Sequence, residues 1–219
     1  MGPSVSQIED IINRGAEIRS RLRELLSRHE YPLDKNLDTK TTFLTGYVDI
    51  ALEHHEAIEL LIKTKLFGSA FALVRPLIET MLRALWINAL ATPSQIEGAG
   101  QDKDIFPAMS QMLTEIDQTY ATGTLFQSFK GSNWKAMCSY AHSGARQVAR
   151  RFTDGEVKPS YSDGAILEVL NVTNTAVILL TIAFFKSIGC QREADETERM
   201  ILEYGVAKGA KRRRDSSLG

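Results

Sequence analysis

Apolar residues return every three or four positions along almost the whole of this chain, and no segment sustains the period-two alternation of a half-buried strand. Such spacing lines apolar side chains along one stripe of a helix, and a stripe is stable only when another helix covers it. Six prolines in 219 residues leave long stretches uninterrupted. The chain is therefore expected to be all-α, a single up-and-down multi-helix bundle over residues 1–207 followed by a flexible basic tail at 208–219.

The first helix is expected at residues 4–29, with Ile8, Ile11, Ile12, Ile18, Leu22 and Leu25 inward and Tyr31-Pro32 closing it. The second spans 39–63 with Phe43, Tyr47, Ile50, Ala57, Ile58 and Leu61 inward, and the third spans 66–91 and ends at Thr92-Pro93. A glycine-rich loop around Gly98 and Gly100 leads to a shorter helix near 104–120, then a break at Gly123. Ser132 or Asn133 can cap a helix reaching about Phe152, packed through Trp134, Cys138, Ala141, Ala145, Val148 and Phe152. Loop signals at Asp154-Gly155 and Lys158-Pro159 precede a central apolar helix at 163–188 and a last helix at 193–207. There is no internal repeat and no interdomain linker.

Composition narrows the function. With 43% hydrophobic residues the chain can build a full core, and a net charge of −1 argues against indiscriminate coating of nucleic acid. Two cysteines, Cys138 and Cys190, are too few for a disulfide framework or a zinc site, and neither a metal nor a cofactor is expected. No apolar leader follows Met1, and the near-apolar stretch 176–185 falls short of the ~20 residues that span a bilayer. A cytoplasmic protein without membrane attachment is the expectation.

Residues 133–146 are where the sequence looks chemical. Lys135 and His142 lie seven residues apart, so on a continuous helix they share a face with Ser139 and Arg146, their backbones about 10.5 Å apart. A cation, a base and a hydroxyl on one surface suit a phosphodiester. Tyr140 and Ser143 sit beside them, and Gly144 suggests close approach of another backbone or of a ligand. On the third helix Arg75, Glu79 and Arg83 form an ionic row at i, i+4 and i+8, and Pro76 should free the carbonyl of Ala72 and bend the axis. The plainer explanations are a Glu79 neutralised internally by one or both arginines, a His142 hydrogen-bonded at the boundary of the core, and a solvated polar face.

The run from Ser69 to Glu79 through Arg75 and Pro76, followed by Arg83 and Trp86 and then by Tyr140-Ala141-His142-Ser143-Gly144, resembles the HEPN superfamily of helical nucleotide-binding and ribonuclease domains. The likeness covers about residues 43–185. It implies metal-independent RNA cleavage, usually by dimers whose two motifs face one cleft, and the bacterial branch suggests a toxin or phage-defence role with an antitoxin or defence partner. The superfamily's arginine, separated from its histidine by four to six residues, is matched here, with six intervening residues, by Lys135, which keeps the charge without the planar fork; Gly144 stands where toxin members often have tyrosine. The resemblance implies that His142 is general base or acid, that Lys135, Arg146 or Arg75 stabilises phosphoryl charge, and that Glu79 orients them. Arg83, Ser139, Tyr140, Ser143 and Arg146 would bind substrate. Arg150, Arg151 and the run Lys211 to Arg214 could follow a phosphate backbone.

Four other readings use the same chain. Glu53, His54, His55, Glu56 and Glu59 crowd the second helix, but a ferritin-like di-metal site needs Glu three residues before each His, where Ala51 and Leu52 stand. His54 and His55 are therefore expected to be partly exposed. A Ser-His hydrolase lacks its nucleophile elbow. The strongest rival is a non-catalytic dimeric module that binds a nucleotide, an RNA or a partner protein in the same cleft, and a polar face that merely joins two copies is the simplest alternative.

Overall fold

The computed structural model describes residues 5–28 and 38–204. Among them are nine helices: α1 (Val5–Ser27), α2 (Thr39–Lys63), α3 (Phe67–Ala89), α4 (Pro93–Gly100), α5 (Met109–Thr119), α6 (Leu125–Ala141), α7 (Ala145–Ala149), α8 (Asp163–Ser187) and α9 (Gln191–Tyr204). A short antiparallel hairpin, β1 (Phe152–Thr153) with β2 (Glu156–Val157), lies between α7 and α8. The all-α class is the one expected. The Tyr31-Pro32 stop and the tail at 208–219 with its Lys211 to Arg214 run fall outside the described residues, as does the 205–207 end of the last expected helix.

Helix α8 is the hub, packing on α1, α2, α3 and α9. Its Leu170, Val177, Leu180, Phe184 and Phe185 are almost wholly buried. Among the described residues it alone is long and apolar enough to cross a membrane, but 56% of its apolar window is covered by protein, which fits a core helix. Helix α3 packs on α2 and α8 and also on α5 and α6, joining the two parts of the bundle. It runs unbroken through Pro76, with the Thr80 hydroxyl donating to the Pro76 carbonyl at 2.9 Å.

Local signals explain the helix starts. Asp38 caps α2 by accepting from the Thr41 N–H at 2.9 Å, and this backbone bond holds its carboxyl below the usual range. Ser162 caps α8 through the Ala165 N–H. The expected loop around Gly98 and Gly100 is instead α4, because Thr92 and Gln95 form a reciprocal capping box and Pro93 occupies the first turn. The helix expected from about 104 begins at Met109, since Asp104 turns its carboxylate back to the Phe106 N–H.

The largest departure concerns the helix of His142. It starts at Leu125, not at Ser132 or Asn133, and ends at Ala141, well before Phe152. Its first turn is capped from a neighbour: Asp117 of α5 accepts from the N–H groups of Phe126 and Gln127 at 3.0 Å each and from the Thr122 hydroxyl. Burial pushes the Asp117 carboxyl up, but these donors outweigh it and hold the group below its ordinary value. The stripe assigned to α6 also fails beyond its end, where Val148 and Phe152 are exposed. Asp117→Ala should cost about 2–3 kcal/mol in urea unfolding, because three donors lose a charged acceptor. A loss under about 0.5 kcal/mol would show that α6 does not depend on this cap.

Candidate functional site

The third helix and the end of α6 bring three of the expected site residues together. Arg75 Nε donates to Glu79 Oε1 at 2.8 Å, one turn along α3, and Arg75 Nη1 reaches His142 Nε2 at 2.6 Å. The guanidinium lies over the Trp134 ring, 5.3 Å from its centroid, so its plane is held from two sides. The Arg75 and Glu79 side chains are about a quarter exposed and His142 is exposed. An arginine can only donate, so Nε2 is the bare nitrogen of a neutral ring and Nδ1 carries the proton.

The end of α6 places the imidazole. His142 caps the helix, its N–H bonded to the Cys138 carbonyl at 3.0 Å, and Ser143 turns left-handed at φ 52°. The Gly144 N–H then bonds the Ser139 carbonyl at 2.7 Å. A Cβ at 144 would sit 2.7 Å from Ser139 Oγ and 3.1 Å from its Cα, so this glycine is set by close approach of its own helix.

The remaining expected residues go elsewhere. Lys135 is exposed on α6 and forms no ion pair among the described residues. Arg83 stacks over Phe106 at 4.8 Å and does not share Glu79 with Arg75. Ser139 Oγ accepts from the Arg146 N–H at 3.0 Å and so serves the start of α7. Because the chain turns at 142–144, Arg146 no longer follows His142 on a continuous helical face, and its side chain is exposed, as is Ser143. Tyr140 packs edge-on against Phe71, with ring centroids 5.1 Å apart, in a cluster with Tyr161. Arg150 donates to the Ser160 carbonyl and Arg151 is exposed. Among the described residues no three His, Cys, Asp or Glu side chains gather as metal ligands would.

A second polar cluster escaped the sequence reading. His55, expected to be partly exposed, is 0% exposed, and Glu59 one turn later is 1% exposed. The buried stripe of α2 passes through Leu44, Val48, Ala51, Leu52, His55, Ile58, Glu59 and Ile62, and the supposedly inward Ile50 is exposed. Arg19 of α1 donates to Glu59 Oε2 and to His55 Nδ1, the latter at 3.2 Å, and His55 Nε2 meets Asn174 Oδ1 of α8 at 2.6 Å. Glu59 Oε1 is sealed from solvent without a hydrogen bond. Gly15 makes room for it, since a Cβ there would fall 1.8 Å from that oxygen. The legible clue was the i, i+4 pair of His55 and Glu59 opposite an arginine on α1; the charged residues around it pointed to a solvated face.

Burial raises the Glu59 carboxyl and depresses the His55 imidazole from 6.5 to about 4, the Asn174 bond only partly opposing the latter. His55 is thus neutral, with its proton on Nε2.

The molecule is an all-α bundle that carries a solvent-reachable arginine, glutamate and histidine where α3 meets the end of α6. Residues 48–205 match the model of a family of unknown function, DUF6988, and the chain belongs to that family. No curated protein and no solved structure matches it.

The two clusters should respond differently to substitution. Arg19→Met leaves Glu59 buried without its cation and should cost about 3–5 kcal/mol, whereas Arg75→Met or Glu79→Gln should change stability by no more than about 1 kcal/mol in urea unfolding. Equal losses would make the Arg75 cluster a structural support. A depressed histidine pKa means that the unfolded chain binds the proton first, so the His55 contribution is complete above pH 6.5 and declines as pH falls towards 4. Arg19 and Arg23 of α1 and Glu56 and Glu59 of α2 face this ring, and Glu59 acts in the opposite sense just above its ordinary value. The fall in stability between pH 6.5 and 5 should therefore shrink in His55→Gln; an unchanged slope would assign it to other groups.

Proposed function

We propose that this protein is a HEPN-like, metal-independent endoribonuclease whose site is formed by Arg75, Glu79 and His142. The observation that carries the reading is the 2.6 Å approach of Arg75 Nη1 to His142 Nε2, with Glu79 and Trp134 fixing the guanidinium. A guanidinium that close to an imidazole places a fork matched to phosphate oxygens beside the bare ring nitrogen. Arg75 thus takes the part that the sequence pattern gave to Lys135, which remains an exposed charge for the substrate backbone.

A phosphodiester entering this face draws Arg75 towards its non-bridging oxygens and frees the Nε2 lone pair. His142 Nε2 then accepts the proton of the RNA 2′-hydroxyl as its oxygen attacks the adjacent phosphorus. The bond to the 5′-oxygen breaks, that oxygen takes a proton from water, and a 2′,3′-cyclic phosphate remains. Arg75 stabilises the charge on the phosphoryl oxygens, and Glu79 acts through Arg75 as a positioning residue. A cytoplasmic homodimer with a toxin or phage-defence role and an antitoxin or defence partner is the setting that the same resemblance supports.

The exposed position of His142 and the separation of Lys135, Arg83 and Arg146 from the cluster favour a second reading, a module that binds RNA, a nucleotide or a partner protein on this face without cutting. The two differ in one measurement. Purified protein incubated with RNA in EDTA should give products ending in 2′,3′-cyclic phosphate, and His142→Ala should lower the rate by at least about 100-fold with an unchanged circular dichroism spectrum. RNA binding that Arg75→Ala weakens, with no cleavage by the wild-type protein, would establish the binding module instead.

A further inference from the structure

A groove of about 760 Å³ opens between α1, α3, α5, α6, α8 and α9, and none of its lining residues belongs to the Arg75 cluster. Its volume is in the range of small-molecule sites. The walls are largely aliphatic and aromatic, with Ile11, Ile78, Leu82, Phe126, Phe129 and Leu179 among them. Asn174 of the buried cluster also lines it, although that residue is only 6% exposed.

The orientation of Asn174 follows from its neighbours. Arg19 donates to His55 Nδ1, so the proton of the neutral ring is on Nε2, and Nε2 can bond only to the oxygen of Asn174. The amide nitrogen is left with two donors and no protein partner among the described residues. An apolar wall that holds an oriented, unused pair of donors calls for an acceptor from outside the chain. Arg14 and Lys130 line the same groove against one acid, Asp10. Among the described residues Arg14 is engaged only by the Tyr204 carbonyl at 3.4 Å, and Lys130 forms no ion pair.

We propose that this groove binds a fatty acid, its acyl chain lying along the apolar walls and its carboxylate accepting from the Asn174 amide within the field of Arg14 and Lys130. A partner helix fits less well: its own amides are already paired and it is about 10 Å wide, so it has no slender acceptor to reach a donor set this deep. Buried His55, itself fixed by Arg19, holds the Asn174 amide in place. This site stands whether or not the Arg75 cluster cleaves RNA.

The probes are laurate and dodecanol, titrated calorimetrically below their aggregation limits into the full-length protein. Laurate should bind saturably at one site per chain, and dodecanol should bind about tenfold more weakly or worse for want of charge. Val172→Trp fills the groove from its partly exposed α8 wall and should abolish binding with an unchanged circular dichroism spectrum. Lys130→Glu, at the rim, should weaken laurate but not dodecanol. The proposal is overturned if laurate does not saturate the wild-type protein, if both variants bind it as the wild type does, or if dodecanol binds equally well. It is likewise overturned if sedimentation shows a dimer that Val172→Trp dissociates while laurate binds neither form, since a second copy would then be the occupant.

Discussion

Residues 176–185 of α8 are apolar on nearly every side and almost all buried, a constraint the helix meets by taking helical neighbours on several sides. The rest of the bundle follows from that enclosure. Helices α1, α2, α3 and α9 wrap α8, and α3 has enough apolar surface left to hold α5 and α6 as a second part. The candidate cluster sits on this second part, with Arg75 and Glu79 on the rigid shared helix and His142 at the end of the helix it carries. Because α3 is anchored on one side by the core, its outer residues can be polar and partly exposed without weakening the fold.

Two polar groups of similar composition are held in opposite ways. Arg75, Glu79 and His142 lie at the surface, where solvent screens the charges and the contacts contribute little to stability. Arg19, His55, Glu59 and Asn174 lie among α1, α2 and α8, where desolvation is costly and every missing partner counts. A chain that needed only a core would fill that space with leucine, so the persistence of an oriented amide there is best understood through the groove it faces.

Much of the architecture was legible in the residues. The bounds of α2 match the expected ones and those of α3 and α8 agree to within two residues, because α2 and α8 have local caps at Asp38 and Ser162 and the apolar run of α3 is long. Helix α4 is legible too, since Thr92-Pro93-Ser94-Gln95 is a start signal, but a proline after a long helix reads equally as a stop. The start of α6 was not readable: its cap is Asp117 on the preceding helix, nine residues before Phe126, and no rule of local spacing reports it. For the site, the meeting of Arg75 and Glu79 followed from i, i+4 spacing, whereas the pairing of Arg75 with His142 crosses 67 residues and depends on how α3 and α6 dock. The burial of His55 and Glu59 was hidden because a rotation of the α2 stripe by one position exchanges Ile50 for polar residues.

The left-handed residue at Ser143 has a mechanical consequence. Beyond it the chain leaves the helical axis, so the imidazole of His142 sits at an elbow between the long α6 behind it and the short α7 ahead. Only Ser143 and Gly144 separate the ring from α7, whose Arg146 is exposed, so the position of the imidazole is tied to the docking of that short helix as well as to α6.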